Sequence, residues 1–199
     1  MRGNWKLKNE RYEFIKRRII YLFVEYDIRC IPISGFELAM KMGMQLIPYS
    51  SLSERKLSAA KRVSEDGFFM ETSDGRKLIY YNDEKGYERS NMTILHEIGH
   101  AVLGHDNDTD FDTAECEAKF FAKYAIAPPP LVHRIHPDSS LDIMDFFNIS
   151  FQAAEYAMQY YRKWRRRHDM TGKYMSYESL LLGLFESEFE EVSDHGLVM

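Results

Sequence analysis

A chain of 199 residues with 45% apolar and 14% aromatic content can bury a sizeable core and is too apolar to stay disordered. Its net charge of −5 gives no general attraction to nucleic acid. The amino terminus (MRGNWKLKNERYEF) lacks the apolar stretch of a signal peptide, and Ile19–Val24 is far too short to span a bilayer. Two cysteines, Cys30 and Cys116, make neither a metal spacing nor a disulfide framework, so a reduced cytoplasmic protein is expected.

Taken in order, the chain opens with an amphipathic helix over Glu10–Tyr26, its apolar side formed by Tyr12, Ile15, Ile19 and Leu22. Ile31-Pro32-Ile33 reads as extended, and Ser34 caps a short helix ending at Gly43. Met44–Tyr49 suits a strand, and Ser51 with Glu54 boxes the start of a helix reaching Val63. A hairpin follows: Gly67–Thr72, a turn carrying Asp74-Gly75, then Lys77–Asn82. Met92–Gly104 and Asp112–Ile126 are the next two helices. Pro128-Pro129-Pro130 then stops regular structure. Ser140–Phe147 and Ser150–Arg167 form two capped helices around a tight turn at Asn148, and Tyr177–Phe189 is the last helix before an acidic tail. The pattern is α+β: mainly helical, with a small central antiparallel or mixed sheet. The domain expectation is a core over residues 1–130 and a helical extension, packed on it, over 131–199.

Chemistry concentrates in Met92–Gly104 (MTILHEIGHAVLG), where His96-Glu97-Ile98-Gly99-His100 spells HExxH. Histidines four apart stack on one helical face, about 6 Å from each other, so both imidazoles can reach one ion. Glu97, roughly 100° round the helix, can touch a water on that ion without ligating it. This is the arrangement of zinc hydrolases, in which the metal polarises a carbonyl and the glutamate moves the proton. Gly99 costs about 1 kcal/mol against alanine in mid-helix, which implies a close approach there.

Two histidines and a water leave tetrahedral zinc one ligand short. HExxHxxGxxH is excluded, because Leu103 and Asp106 occupy the required Gly and His positions, and His105 is expected on the wrong side of the helix. In the next helix Asp112 and Glu115 fit a capping box, which gives Glu115 a structural role. Glu117 shares a stripe with Ala114, Ala118, Phe121 and Tyr124, and a glutamate on a core face needs a partner or a metal. Glu117 is therefore the expected third ligand, with Asp106 and Glu115 as alternatives. Asp106, Asp108, Asp110 and Glu117 also match positions 1, 3, 5 and 12 of an EF-hand, but Phe111 stands where that loop needs glycine. A solvated acidic loop explains them better.

Leu141–Lys163 has the outline of a helix-turn-helix, and Arg162, Lys163, Arg165, Arg166 and Arg167 add positive charge at and just past its end. Residues 151–154 (Phe, Gln, Ala, Ala) offer little to base edges, and the basic run suits a helix C-terminus, so direct nucleic-acid binding is not expected.

These pieces in this order resemble the ImmA/IrrE metallopeptidases over roughly residues 28–165. The resemblance rests on Ile31-Pro32-Ile33, the Lys77–Asn82 strand and Thr93–His105 (TILHEIGHAVLGH). Glu115–Pro128 (ECEAKFFAKYAIAP) is similar to the family's E-x-E-A-N-x-F-A…P stretch, and Phe147–Ala154 follows. Lys119 stands where asparagine is usual, and Glu88–Met92 lacks the family's R-x-R-F. The resemblance implies a zincin-like, zinc-dependent endopeptidase with His96, His100 and Glu117 as metal ligands and Glu97 as catalytic base. It further implies a protein substrate, a helix-turn-helix transcriptional repressor of a mobile element or stress response, paired along an edge strand at Lys77–Asn82. Candidate oxyanion donors are His133, His136 and Tyr124. The competing expectation is a non-hydrolytic regulator that binds a repressor or DNA, with zinc serving only the fold.

Overall fold

The structure is a computed structural model describing residues 7–106 and 108–195, with side chains described up to residue 190 in the last helix. It is mainly helical with one three-stranded mixed sheet, the α+β class expected. Close contacts group the chain into two compact units. One combines residues 1–15 with 34–122, and the other combines 16–33 with 123–199. The first helix, α1 (Asn9–Glu25), therefore contributes its start to one unit and its remainder to the other.

In the first unit, Ser34 caps α2 (Gly35–Lys41), its hydroxyl accepting from the Glu37 N–H at 3.2 Å. Strand β1 (Gln45–Pro48) and α3 (Glu54–Val63) follow, with Ser53 rather than Ser51 at the N-cap. The hairpin forms as expected, pairing β2 (Gly67–Glu71) with β3 (Lys77–Tyr81) antiparallel, Phe69 opposite Ile79. β1 lies parallel on the other side of β3, with Leu46 beside Ile79. The order β1-β3-β2 makes β3 the interior strand, so it is not the edge that the resemblance implied. Parallel pairing joins segments some thirty residues apart, and no local pattern announces it.

Helix α4 (Tyr87–Leu103) buries Ile94, Leu95 and Ile98; it meets the sheet through Thr93 and Glu97, and Leu95 lies against Gly35 at the start of α2. The approach is close at Gly67, where an added Cβ would meet the Tyr80 carbonyl at 2.5 Å and Thr93 Cγ2 at 2.7 Å. Helix α5 (Phe111–Ile126) crosses α4 at Gly99: a Cβ there would meet Phe121 at 3.1 Å and the Ala118 Cα at 3.3 Å. The mid-helix glycine thus admits a neighbouring helix.

The second unit is helical. Pro129 and Pro130 do not end structure; they open α6 (Pro129–Arg134), where a missing N–H costs nothing and φ is already helical. Helix α7 (Ser140–Phe147) starts with a Ser139–Asp142 capping box and stops at Asn148 in the left-handed region. The long α8 (Phe151–Thr171) buries Ala154, Ala157, Met158, Tyr161 and Trp164. The expected last helix is two, α9 (Ser176–Leu184) and α10 (Glu186–His195), divided at Phe185. Among the described residues no helix is long and apolar enough to cross a membrane.

Candidate metal centre

Helical spacing on α4 sets His96 and His100 with their Nε2 atoms 3.1 Å apart. The carboxylate that meets them is Glu115, whose Oε1 lies 3.5 Å from His96 Nε2 and 3.2 Å from His100 Nε2. Among the described residues, the histidine and acidic side chains that converge closely enough to share an ion are His96, His100 and Glu115. Its second oxygen, Oε2, is 2.8 Å from Lys119 Nζ, one turn along α5.

Glu117, the expected third ligand, is not brought to the imidazole pair. It is buried, as its stripe required, but its partners are different. Arg11 donates from Nε to Oε1 at 2.6 Å and from Nη2 to Oε2 at 2.5 Å, and His105 Nε2 lies 3.0 Å from Oε2. Two positions apart, Glu115 and Glu117 point to different sides of one helix. The capping-box reading places Glu115 behind Glu117 as an alternative ligand, and the structure reverses that order. The actual cap is Asp110, whose Oδ2 accepts from the Thr113 N–H at 2.9 Å and from its hydroxyl at 2.7 Å. With the helix starting at Phe111, Glu115 lies beyond the capping turn and is free to face α4.

Asp106 is committed to its own loop. Its Oδ1 accepts from the Asp108 N–H, the Thr109 N–H and the Thr109 hydroxyl at 3.1, 3.0 and 2.9 Å. That hydrogen bonding belongs to a polar turn, in keeping with the solvated-loop reading over an EF-hand. His105 supplies no atom to the shared group, yet its Nδ1 reaches His100 Nδ1 at 2.9 Å. Gly104 at φ +70° makes this possible: the chain reverses, and the His105 N–H bonds back to the His100 carbonyl at 3.1 Å.

Glu97 is buried beside the imidazole pair, and the Phe69 N–H of edge strand β2 donates to its Oε2 at 2.8 Å. Desolvation pushes its carboxyl up to about 7, against the opposing pull of His100 and the Phe69 amide. Glu115 moves the other way: contacts with His100 and His96 hold it far below the usual carboxylate range. Burial works against ionised Glu117, but hydrogen bonds from Arg11 and His105 hold its carboxyl below the ordinary value. Burial lowers His105, with Glu117 opposing. Two carboxylates, one desolvated beside the ligands and one ionised among them, suit a proton carrier and a ligand respectively.

The donor set fits zinc. Ligand bonds of about 2.0–2.1 Å at tetrahedral angles put neighbouring donor atoms roughly 3.3 Å apart, and the three separations of 3.1, 3.2 and 3.5 Å bracket that value. Two imidazoles and one carboxylate are also the usual complement of a site that keeps a fourth position open.

The IrrE N-terminal-like domain of peptidase family M78 matches residues 39–159, a stretch that holds α4, α5 and every residue of the shared donor group. The chain belongs to the IrrE N-terminal-like peptidase family. No curated protein matches it closely enough to count as a relative. As an IrrE N-terminal-like peptidase it acts on a protein or peptide, and its family is one of metallopeptidases, consistent with the two-histidine, one-glutamate group. Arg11 lies before the family-matched residues, so the guanidinium on Glu117 comes from outside that region. The sequence reading missed Arg11, His105 and the Phe69 amide as members of the site. Of these, only His105 carried a local signal, the glycine before it. The residues considered as oxyanion donors, Tyr124, His133 and His136, belong to the second unit, where His133 Nδ1 is 3.0 Å from the Tyr161 hydroxyl.

Proposed function

We propose that the chain is a zinc-dependent endopeptidase in which His96, His100 and Glu115 hold the metal and Glu97 carries the proton. The observation that supports this most is the convergence of three donor atoms at 3.1–3.5 Å from one another, with a desolvated glutamate on the same helix. When bound, zinc supplies a Lewis acid that polarises the scissile carbonyl and acidifies water. Glu97 takes a proton from the attacking water and gives it to the departing amine. Burial favours the protonated form of Glu97 and so suits it to hold a proton between the two halves of that task, while the Phe69 amide keeps it aimed.

β2 is an edge strand that runs past Glu97, so an extended substrate segment adds there by backbone pairing. The substrate we infer, from the resemblance, is a helix-turn-helix repressor of a mobile element or stress response, and cleavage relieves repression in the cytoplasm.

The test uses full-length protein loaded with zinc and a helix-turn-helix repressor encoded beside it, with fragments read by mass spectrometry. Wild type cuts at a defined bond. Glu97→Gln keeps the metal and loses cleavage, whereas His96→Ala loses both. Cleavage by Glu97→Gln at the wild-type rate overturns the mechanism, and an intact repressor in the presence of zinc-loaded wild type overturns the substrate.

A further inference from the structure

We infer that His105, Glu117 and Arg11 form a positioning chain that fixes the tautomer and orientation of His100, a role distinct from ligation. This rests on the proposed zinc site, since it concerns how one of that site's ligands is held.

The argument follows the hydrogens. His100 Nε2 faces His96 and Glu115, and a nitrogen that offers its lone pair to a cation carries no hydrogen. The hydrogen of neutral His100 is then on Nδ1, which lies 2.9 Å from His105 Nδ1. That second nitrogen must accept, so His105 carries its own hydrogen on Nε2. Nε2 is 3.0 Å from Glu117 Oε2, which accepts it. Each hydrogen has one place, and the chain runs in one direction, from ligand to carboxylate. It ends on an anchored group, because the Arg11 fork holds both oxygens of Glu117 at 2.6 and 2.5 Å. The His105 and Glu117 side chains are only 6% and 5% exposed, so water competes poorly for these bonds.

Local backbone geometry supports the same reading. An uninterrupted helix would carry residue 105 away from His100, and the left-handed Gly104 instead folds it back onto that ring. The buried carboxylate on α5 is thereby explained without making it a ligand.

A merely structural role, an ion pair tying α1 to α5, would lower stability and leave metal binding alone. The discriminating measurement is Co²⁺ affinity by chelator competition, together with the visible d–d spectrum of the Co²⁺-loaded protein. His105→Ala should weaken binding by about 10–100-fold, the usual effect of removing such a partner, and alter the spectrum. His105→Asn, whose Oδ1 can accept from His100 Nδ1–H, should restore most of the affinity. Glu117→Gln should weaken binding less than His105→Ala, and the double variant should be no weaker than His105→Ala alone, because the two act in series. Should His105→Ala not fold, His105→Asn and Glu117→Gln still read the effect. Affinities of Glu117→Gln and His105→Ala within twofold of wild type, with unchanged spectra, overturn the chain while the zinc site stands. A wild-type protein that binds Co²⁺ no better than His96→Ala overturns both.

Discussion

Glu115 and Glu117 stand two residues apart on one helix and serve opposite partners. Glu115 Oε1 is 3.2 Å from His100 Nε2, on the side that imidazole shares with His96, while Glu117 reaches the same ring's other nitrogen only through His105. One imidazole is therefore addressed by two carboxylates, from two sides and in two roles.

The raised carboxyl of Glu97 makes the metal-free protein pH-sensitive. A carboxyl near 7 when folded and near 4.5 when unfolded contributes its full stability below about 4.5, and that contribution disappears as pH rises through 7. Glutamine keeps an acceptor for the Phe69 amide without the charge. Metal-free Glu97→Gln should therefore be more stable than wild type at pH 8, by up to about 3 kcal/mol, and indistinguishable near pH 4. Urea midpoints of the two proteins at both pH values check this; an equal gap at both would contradict it.

Metal should stabilise the folded chain by mass action. At a free zinc concentration a hundred times the dissociation constant the gain is about 2.7 kcal/mol. Calorimetry with and without a chelator should show the shift in wild type and none in His96→Ala.

Gly67→Ala tests the packing that brings β2 to Glu97. Its Cβ would collide with the Tyr80 carbonyl, a backbone atom that cannot step aside cheaply. A loss of about 2–3 kcal/mol is expected, measurable as a lower urea midpoint with an unchanged slope.

Lys119 is 61% exposed and paired with the outer oxygen of Glu115. Such a pair contributes roughly 0–1 kcal/mol to stability. A cation beside a ligand also repels the incoming metal, so Lys119→Asn should tighten divalent metal binding a few-fold at low salt. That gain should shrink as ionic strength rises. Chelator competition at two salt concentrations decides the matter; weaker binding in Lys119→Asn would show that the lysine supports the ligand.

What could be read from the sequence was what a short window contains. The stacking of His96 and His100, the burial of Leu95 and Ile98, the hairpin around Asp74-Gly75 and the caps at Ser34 and Ser150 all follow from local spacing. Most of what the sequence does not show involves partners distant along the chain. Glu117 is buried as its stripe demanded, but its guanidinium comes from Arg11, 106 residues earlier. β3 resembled an edge strand until β1 paired with it in parallel. The cap is a local matter: Asp110 has the same capping chemistry as Asp112 and starts the helix two residues earlier. That leaves Glu115, ranked behind Glu117 for its expected capping role, free to face the histidines. Gly99 pointed to a close neighbour without naming Ala118 and Phe121.

The account rests on which of two neighbouring glutamates holds the ion, and zinc stoichiometry after exhaustive dialysis of Glu115→Gln and Glu117→Gln reads this directly. Glu115→Gln should retain no stoichiometric zinc, while Glu117→Gln should retain close to one equivalent at micromolar zinc. Full occupancy in Glu115→Gln alongside an empty Glu117→Gln would contradict the centre described above.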